Sequence, residues 1–170
     1  VIGGAGLIMA LHDEGITMND VDPDYVIIGE GNSYNYENIL RAVRLVLKGA
    51  RLIGTNSDLT GPSEDGIIPA CRAMIAPIEM ATGQSAYFVG KPNPLMMRTG
   101  LRILGVHSED AVMIGDRYTD IDGAHACNLD AIGCRWGYAP AGEMEEHGAY
   151  EIIEKPEQIE EAVNRYFQTH

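Results

Sequence analysis

Residues 89–120 constrain the fold of this chain more tightly than any other stretch. Two short apolar runs, each stopped by a glycine and each followed by a charged residue, flank one helix-forming segment. The first run covers residues 86–90, and Lys91 stands just beyond Gly90. Pro92-Asn93-Pro94 then opens a helix, because Asn93 suits the N-cap and Pro94 the first helical position. Leu95, Met96, Leu101 and Leu104 give that helix an apolar side, and Gly105 ends it. The second run covers residues 111–114; Gly115 stops it and Asp116 follows. Strand, helix, strand in this order predicts a parallel pair joined by a crossover helix. Ligands of such sheets bind beyond the carboxyl ends of the strands. Lys91 and Asp116 are therefore expected on one rim, and Asp120, at the start of the next helix, is expected to face the same point.

That set of side chains suits phosphate chemistry. Magnesium takes hard oxygen ligands, commonly one or two carboxylates together with phosphate and water. A neighbouring lysine neutralises charge on a phosphoryl group or an aspartyl intermediate. Taken singly, each residue also looks like a helix cap or a solvated loop residue. Their joint arrangement, with glycine before both Lys91 and Asp116, favours the phosphate reading.

Gly90-Lys91-Pro92 followed by Gly115-Asp116-Arg117-Tyr118-Thr119-Asp120 resembles the third and fourth motifs of the haloacid-dehalogenase-like phosphatases. Gly49-Ala50-Arg51-Leu52-Ile53-Gly54-Thr55-Asn56-Ser57-Asp58 is similar to the cap signature of their NagD-type branch, which carries a large cap domain. Residues 22–29 and Ser33-Tyr34-Asn35-Tyr36 match the same branch. The resemblance implies that Lys91 stabilises a phosphoaspartate and that Asp116 holds Mg²⁺ directly. It makes Asp120 a supporting metal ligand or a carboxylate just behind the metal. It also implies that the cap segment from Asn56 onward reads the leaving group, with Asn56 and Asp58 as substrate-binding candidates beside Asn93.

Two departures from the family pattern stand out. The family nucleophile lies in an Asp-x-Asp motif that ends a strand, whereas Asp22-Pro23-Asp24 precedes one. No Thr or Ser ends a strand upstream of the cap signature, so the chain is expected to begin inside the cap. Second, the NagD branch spaces its fourth-motif aspartates one residue further apart. From Gly115 onward, including Trp136-Gly137-Tyr138, the text is more similar to phosphoglycolate-phosphatase relatives. A mosaic, a fragment and one part of a split protein all fit these departures.

Charge and composition narrow the partners. A formal net charge of −13 repels nucleic acid and anionic membrane surfaces. Three cysteines without Cys-x-x-Cys spacing argue against a disulfide framework or a structural zinc site. No apolar run approaches membrane-spanning length, and the cytoplasm is the expected setting.

Elsewhere, Gly3-Gly4-Ala5-Gly6 is too short a glycine pattern to predict a nucleotide site, since Met9 stands at the third glycine's place. Helices are expected over residues 5–14, 35–48 and 68–82, the last interrupted or kinked by Pro77, with Ala70, Met74, Ile78 and Ala81 inward. Strands are expected at Tyr25–Ile28 and Arg51–Gly54, and residues 56–66 read as a polar loop. Beyond Asp120 the pattern predicts helices over 121–127, 141–147 and 156–167, the last with Ile159, Val163 and Phe167 inward. Strands are predicted over 131–135 and 150–154. Trp136 and Tyr138 follow a strand and could border the pocket, but cover of the sheet edge is the expected role.

The expected fold class is α/β: a partial α/β cap over residues 1–84, then the C-terminal half of a parallel-sheet, Rossmann-like core over 85–170. The resemblance implies Mg²⁺-dependent hydrolysis of a small phosphorylated metabolite through an aspartyl-phosphate. Without the nucleophile the isolated chain is expected to be nearly inactive. A non-catalytic binding or regulatory module is the competing reading; receiver-like signalling domains share the acidic pair and lysine but fit the motif order less well. A truncated sheet would expose an edge and apolar faces, so association with another copy or with a complementing N-terminal segment is expected.

Overall fold

The β-branched segment Tyr25–Ile28 (β1) and the segment Arg51–Gly54 (β2) pair in parallel, from Tyr25 opposite Arg51 to Ile28 opposite Gly54. In the computed structural model, which describes residues 1–169, these two strands centre the first of two compact units, Val1–Gly90. Residue 170, at the end of the expected second half, lies outside the described residues. Ile2 makes a parallel bridge to Ile28 on the far side of β1. Between them the helix Ala5–Asp13 (α1) leaves the sheet and buries none of its residues.

The helix Tyr36–Leu47 (α2) follows its sequence signals. The Asn35 side chain accepts a hydrogen bond from the Asn38 N–H at the N-cap, and Ala42 and Val46 are buried. The helix Cys71–Thr82 (α3) packs beside it and buries Cys71, Ile75 and Ile78 in the same core. Its start is later than the expected residue 68. Residues 56–66 are not all loop: Thr60–Ser63 (β3) and Gly66–Pro69 (β4) form an antiparallel hairpin. Nearly all its side chains are exposed, so no burial pattern marks it in the sequence. Pro77 lies within α3 without ending it; the residue is exposed, where water can serve the carbonyl that proline leaves unpaired. Ala81, expected inward, is also exposed.

The short strand Tyr87–Phe88 (β5) corrects the strand–helix–strand expectation. It pairs with β2, giving the sheet order β1-β2-β5, and the Val89 N–H donates to the Gly54 carbonyl. The first unit therefore extends past the expected boundary at residue 84, to Gly90. Residues 86–90 and 111–114 are not neighbours in one sheet.

The second unit, from Lys91 onward, is a parallel sheet of Met113–Gly115 (β6), Ala131–Cys134 (β7) and Glu151–Ile153 (β8), in that order. All four residues of β7 are buried, which marks it as the central strand covered on both faces. Ala131 joins one core with Ile121, Ala124 and Met144; Ile132 and Cys134 join the other with Ile153 and Ala162. This is the two-residue alternation of a strand. The helix Pro94–Leu104 (α4) has the expected Asn93 cap and ends at Gly105, whose φ of 70° is the left-handed turn that glycine tolerates. Its packed side is the expected one only at Leu101. Met97 and Leu101 meet the core, whereas Leu95, Met96 and Leu104 are exposed. Helical spacing marks an apolar face without saying which part finds a neighbour.

The helix Tyr118–His125 (α5) begins soon after β6, and Asn128 follows it with positive φ. Glu143–Glu146 (α6) is a single turn that buries Met144. A 3-10 turn at Pro156–Gln158 leads into Ile159–Thr169 (α7). That helix buries Ala162 and Tyr166 and leaves Phe167 exposed, contrary to the expected inward Phe167.

Candidate active site

The loop between β6 and α5 is folded around one buried carboxylate. Asp120 is the third residue of α5, and its Oδ2 accepts from the Arg117 N–H and the Asp116 N–H, both at 3.2 Å. These N–H groups precede the first helical hydrogen bonds and need such a partner. Its Oδ1 lies 2.5 Å from Lys91 Nζ. Asp120 is 2% exposed, while the lysine side chain is 36% exposed. Gly115 makes this approach feasible, because a Cβ there would stand 2.3 Å from Asp120 Cγ. Glycine before Asp116 is therefore a packing requirement as well as a strand stop.

The same loop is tied to α6. Glu143 Oε1 accepts from Arg117 Nε at 2.8 Å and from the Tyr118 N–H at 3.0 Å. Burial pushes the Glu143 carboxyl up, but the hydrogen bonds from Arg117 and Tyr118 outweigh it and hold the group below its ordinary range. Asp116 lines an open cavity of about 420 Å³ together with Gly115, Cys134, Trp136, Gly137 and Tyr138. One Asp116 oxygen, Oδ2, accepts from the Tyr138 N–H at 2.8 Å. Trp136 and Tyr138 thus line the cavity with Asp116, the alternative that the sequence ranked below edge cover. Burial, then the charges of Asp116 and Asp120, push the Cys134 thiol up.

Lys91, Asp116 and Asp120 therefore meet within the second unit, although Lys91 does not follow a strand of that sheet. The Lys91–Pro92 peptide is cis. Asn93 Oδ1 accepts from the Leu95 N–H at 2.9 Å and so serves as a helix cap. Asn56 and Asp58 belong to the first unit, just past the carboxyl end of β2. Asn56 Nδ2 donates to Glu30 Oε1 at 3.0 Å, and its Oδ1 accepts from the Asp58 N–H at 3.1 Å. Sequence reasoning missed Glu30 and Glu143. Glu30 carried a readable signal, since it follows Gly29 after an apolar strand, as Asp116 follows Gly115. Glu143 carried none, being one of several acidic residues in its segment.

Among the described residues no cluster of three or more His, Cys, Asp or Glu side chains could hold a metal ion. Asp120 already engages Lys91 and two backbone N–H groups. Asp116 is the carboxylate placed to offer a hard oxygen toward the cavity, the donor type that Mg²⁺ takes alongside phosphate and water.

Residues 88–162 match the HAD-hydrolase-like family model. The chain is 45% identical over 145 residues to the dihydroxyacetone phosphatase of Corynebacterium glutamicum, covering 85% of this chain and 53% of that protein. It is 41% identical over 133 residues to the ribonucleotide monophosphatase NagD of Escherichia coli K12, covering 78% and 52% respectively. The solved p-nitrophenyl phosphatase from Archaeoglobus fulgidus superimposes with a TM-score of 0.84 at 28% identity, over 93% of this chain and 64% of that one. The chain spans about half the length of the curated relatives it matches. Its parallel α/β sheets, its Gly-Lys-Pro and Gly-Asp-Arg-Tyr-Thr-Asp segments and these relatives agree: the chain belongs to the haloacid-dehalogenase-like superfamily, in its NagD-type phosphatase branch.

Proposed function

We propose that the protein takes part in Mg²⁺-dependent hydrolysis of a small phosphomonoester. The observation that carries this reading is the contact between Lys91 and the buried Asp120 in the loop that also presents Asp116. Asp116 would hold the metal, with Asp120 behind it. Bound Mg²⁺ would supply charge neutralisation at phosphoryl oxygens. Asp120 orients Lys91 and holds the Asp116–Arg117 backbone in place. The Lys91 ammonium stabilises negative charge that develops on a transferred phosphoryl group. The nucleophile in this scheme is an aspartate of an Asp-x-Asp strand end, a motif that residues 1–170 do not supply in that position.

The first unit would act as the cap. Glu30, Asn56 and Asp58, at the carboxyl ends of its strands, would read the leaving group, which we place among small phosphorylated metabolites from the names of the relatives. The net charge of −13 fits a cytoplasmic setting away from nucleic acid and anionic membranes. No helix among the described residues is long and apolar enough to cross a membrane.

The test is hydrolysis of a generic aryl phosphate, with and without Mg²⁺. The 170-residue chain should show no turnover alone and metal-dependent turnover once a segment bearing an Asp-x-Asp strand is added. Failure to gain activity with that segment would overturn the reading in favour of a non-catalytic binding module.

A further inference from the structure

The turn after β7 is built against Asp116. The Gly137 N–H donates to the Cys134 carbonyl at 3.3 Å, closing a tight turn over residues 134–137. Strands β6 and β7 are parallel neighbours with Gly115 opposite Gly133, so the segments that follow them emerge side by side at the same rim. The turn aims the Tyr138 N–H at Asp116 Oδ2, 2.8 Å away. A hydrogen bond to an ionised carboxylate is among the stronger kinds and fixes the side-chain torsion.

Gly137 supplies the room. A Cβ at this position would lie 2.1 Å from Asp116 Cβ and 2.2 Å from its Oδ2. The first of these atoms is fixed by the backbone, so rotating the aspartate side chain cannot relieve the overlap. Any residue other than glycine must displace the 116–118 loop or the turn itself. The first move carries Asp116 away from its place; the second withdraws the Tyr138 N–H.

We infer that Gly137 and the Tyr138 N–H are positioning groups that hold one oxygen of Asp116 and thereby direct its other oxygen toward a divalent cation. This rests on the reading of Asp116 as a metal ligand. Groups that orient a metal ligand commonly change metal affinity by about 10- to 100-fold when altered.

The experiment uses Tb³⁺, a hard-oxygen cation whose emission can be excited through Trp136, the chain's single tryptophan, which lines the same cavity as Asp116. Tb³⁺ is titrated into the full 170-residue chain, and Mg²⁺ is used to displace it. Wild type should bind, and Asp116→Asn should lose most of the sensitised emission. Gly137→Ala should bind about tenfold or more weakly, while its metal-free circular dichroism still shows a folded chain that melts cooperatively. Wild-type affinity in a folded Gly137→Ala, beside loss in Asp116→Asn, would overturn this inference alone. Binding indifferent to Asp116→Asn would overturn the metal-ligand reading, and this inference with it.

Should Gly137→Ala not fold, the Tyr138 amide decides. In a ¹⁵N-labelled chain its proton should be shifted downfield and should move upfield in Asp116→Ala. An amide that ignores that substitution would overturn the inference.

Discussion

Lys91 Nζ lies 2.5 Å from Asp120 Oδ1, and the carboxylate it meets is almost wholly buried. The second oxygen of that carboxylate holds the N–H groups of Asp116 and Arg117. One side chain thus fixes both the cationic and the anionic member of the site.

Removing it should cost stability as well as activity. Asp120→Ala leaves two backbone donors and a half-covered ammonium without this partner. Allowing for solvent around Lys91, the loss should be about 2–4 kcal/mol in urea unfolding. Asp120→Asn, which keeps one oxygen acceptor, should lose less. Equal stability of Asp120→Ala and wild type would mean that the loop is held by other contacts.

Glu143 gives the site an acid-sensitive brace. Its folded pKa lies below the ordinary 4.5, so its contribution is complete above that value and disappears as pH falls through the lowered pKa. Glu143→Gln should therefore be less stable than wild type by about 1–2 kcal/mol at neutral pH, with the gap closing in acid. A gap that stayed constant from pH 7 to about pH 2 would show that ionisation is not its source.

Cys134 should be a slow thiol. It is buried, and burial followed by the charges of Asp116 and Asp120 disfavours its thiolate. Cys71 and Cys127 are buried too. A chromogenic disulfide reagent should label none of the three at neutral pH until the chain is denatured. Rapid native labelling traced to Cys134 by mass spectrometry would contradict this placement.

The helical caps were legible because they are local. Asn93, Pro94 and Gly105 define α4 within a dozen residues, and Asn35 does the same for α2. What was not legible depended on distant partners. Tyr87–Phe88 is an apolar pair that would suit either sheet; only its pairing with Ile53 and Gly54 decides. The hairpin of β3 and β4 buries almost nothing, so alternation could not reveal it. Lys91, Asp116 and Asp120 do come together, but the shared parallel sheet from which the sequence argued their meeting does not form; Asp120 joins them through Lys91 Nζ and the Asp116 N–H. The grip of Tyr138 on Asp116 was not legible, because a backbone N–H has no sequence signature.

The Glu30–Asn56 pair should act on substrate binding and leave the chemical step alone. In the complemented protein, Glu30→Gln should raise KM about tenfold with kcat nearly unchanged, as expected when binding common to ground and transition states is lost. A fall in kcat at constant KM would place Glu30 in the chemistry instead.

The most direct test of the account compares Lys91→Ala and Asp116→Asn with wild type in aryl-phosphate hydrolysis, each chain complemented by the same Asp-x-Asp segment. Both variants should lose about 100-fold or more in kcat, and added Mg²⁺ should not restore Asp116→Asn. Metal-dependent turnover that survives in both variants would show that the Lys91–Asp120–Asp116 cluster is not the site of the reaction.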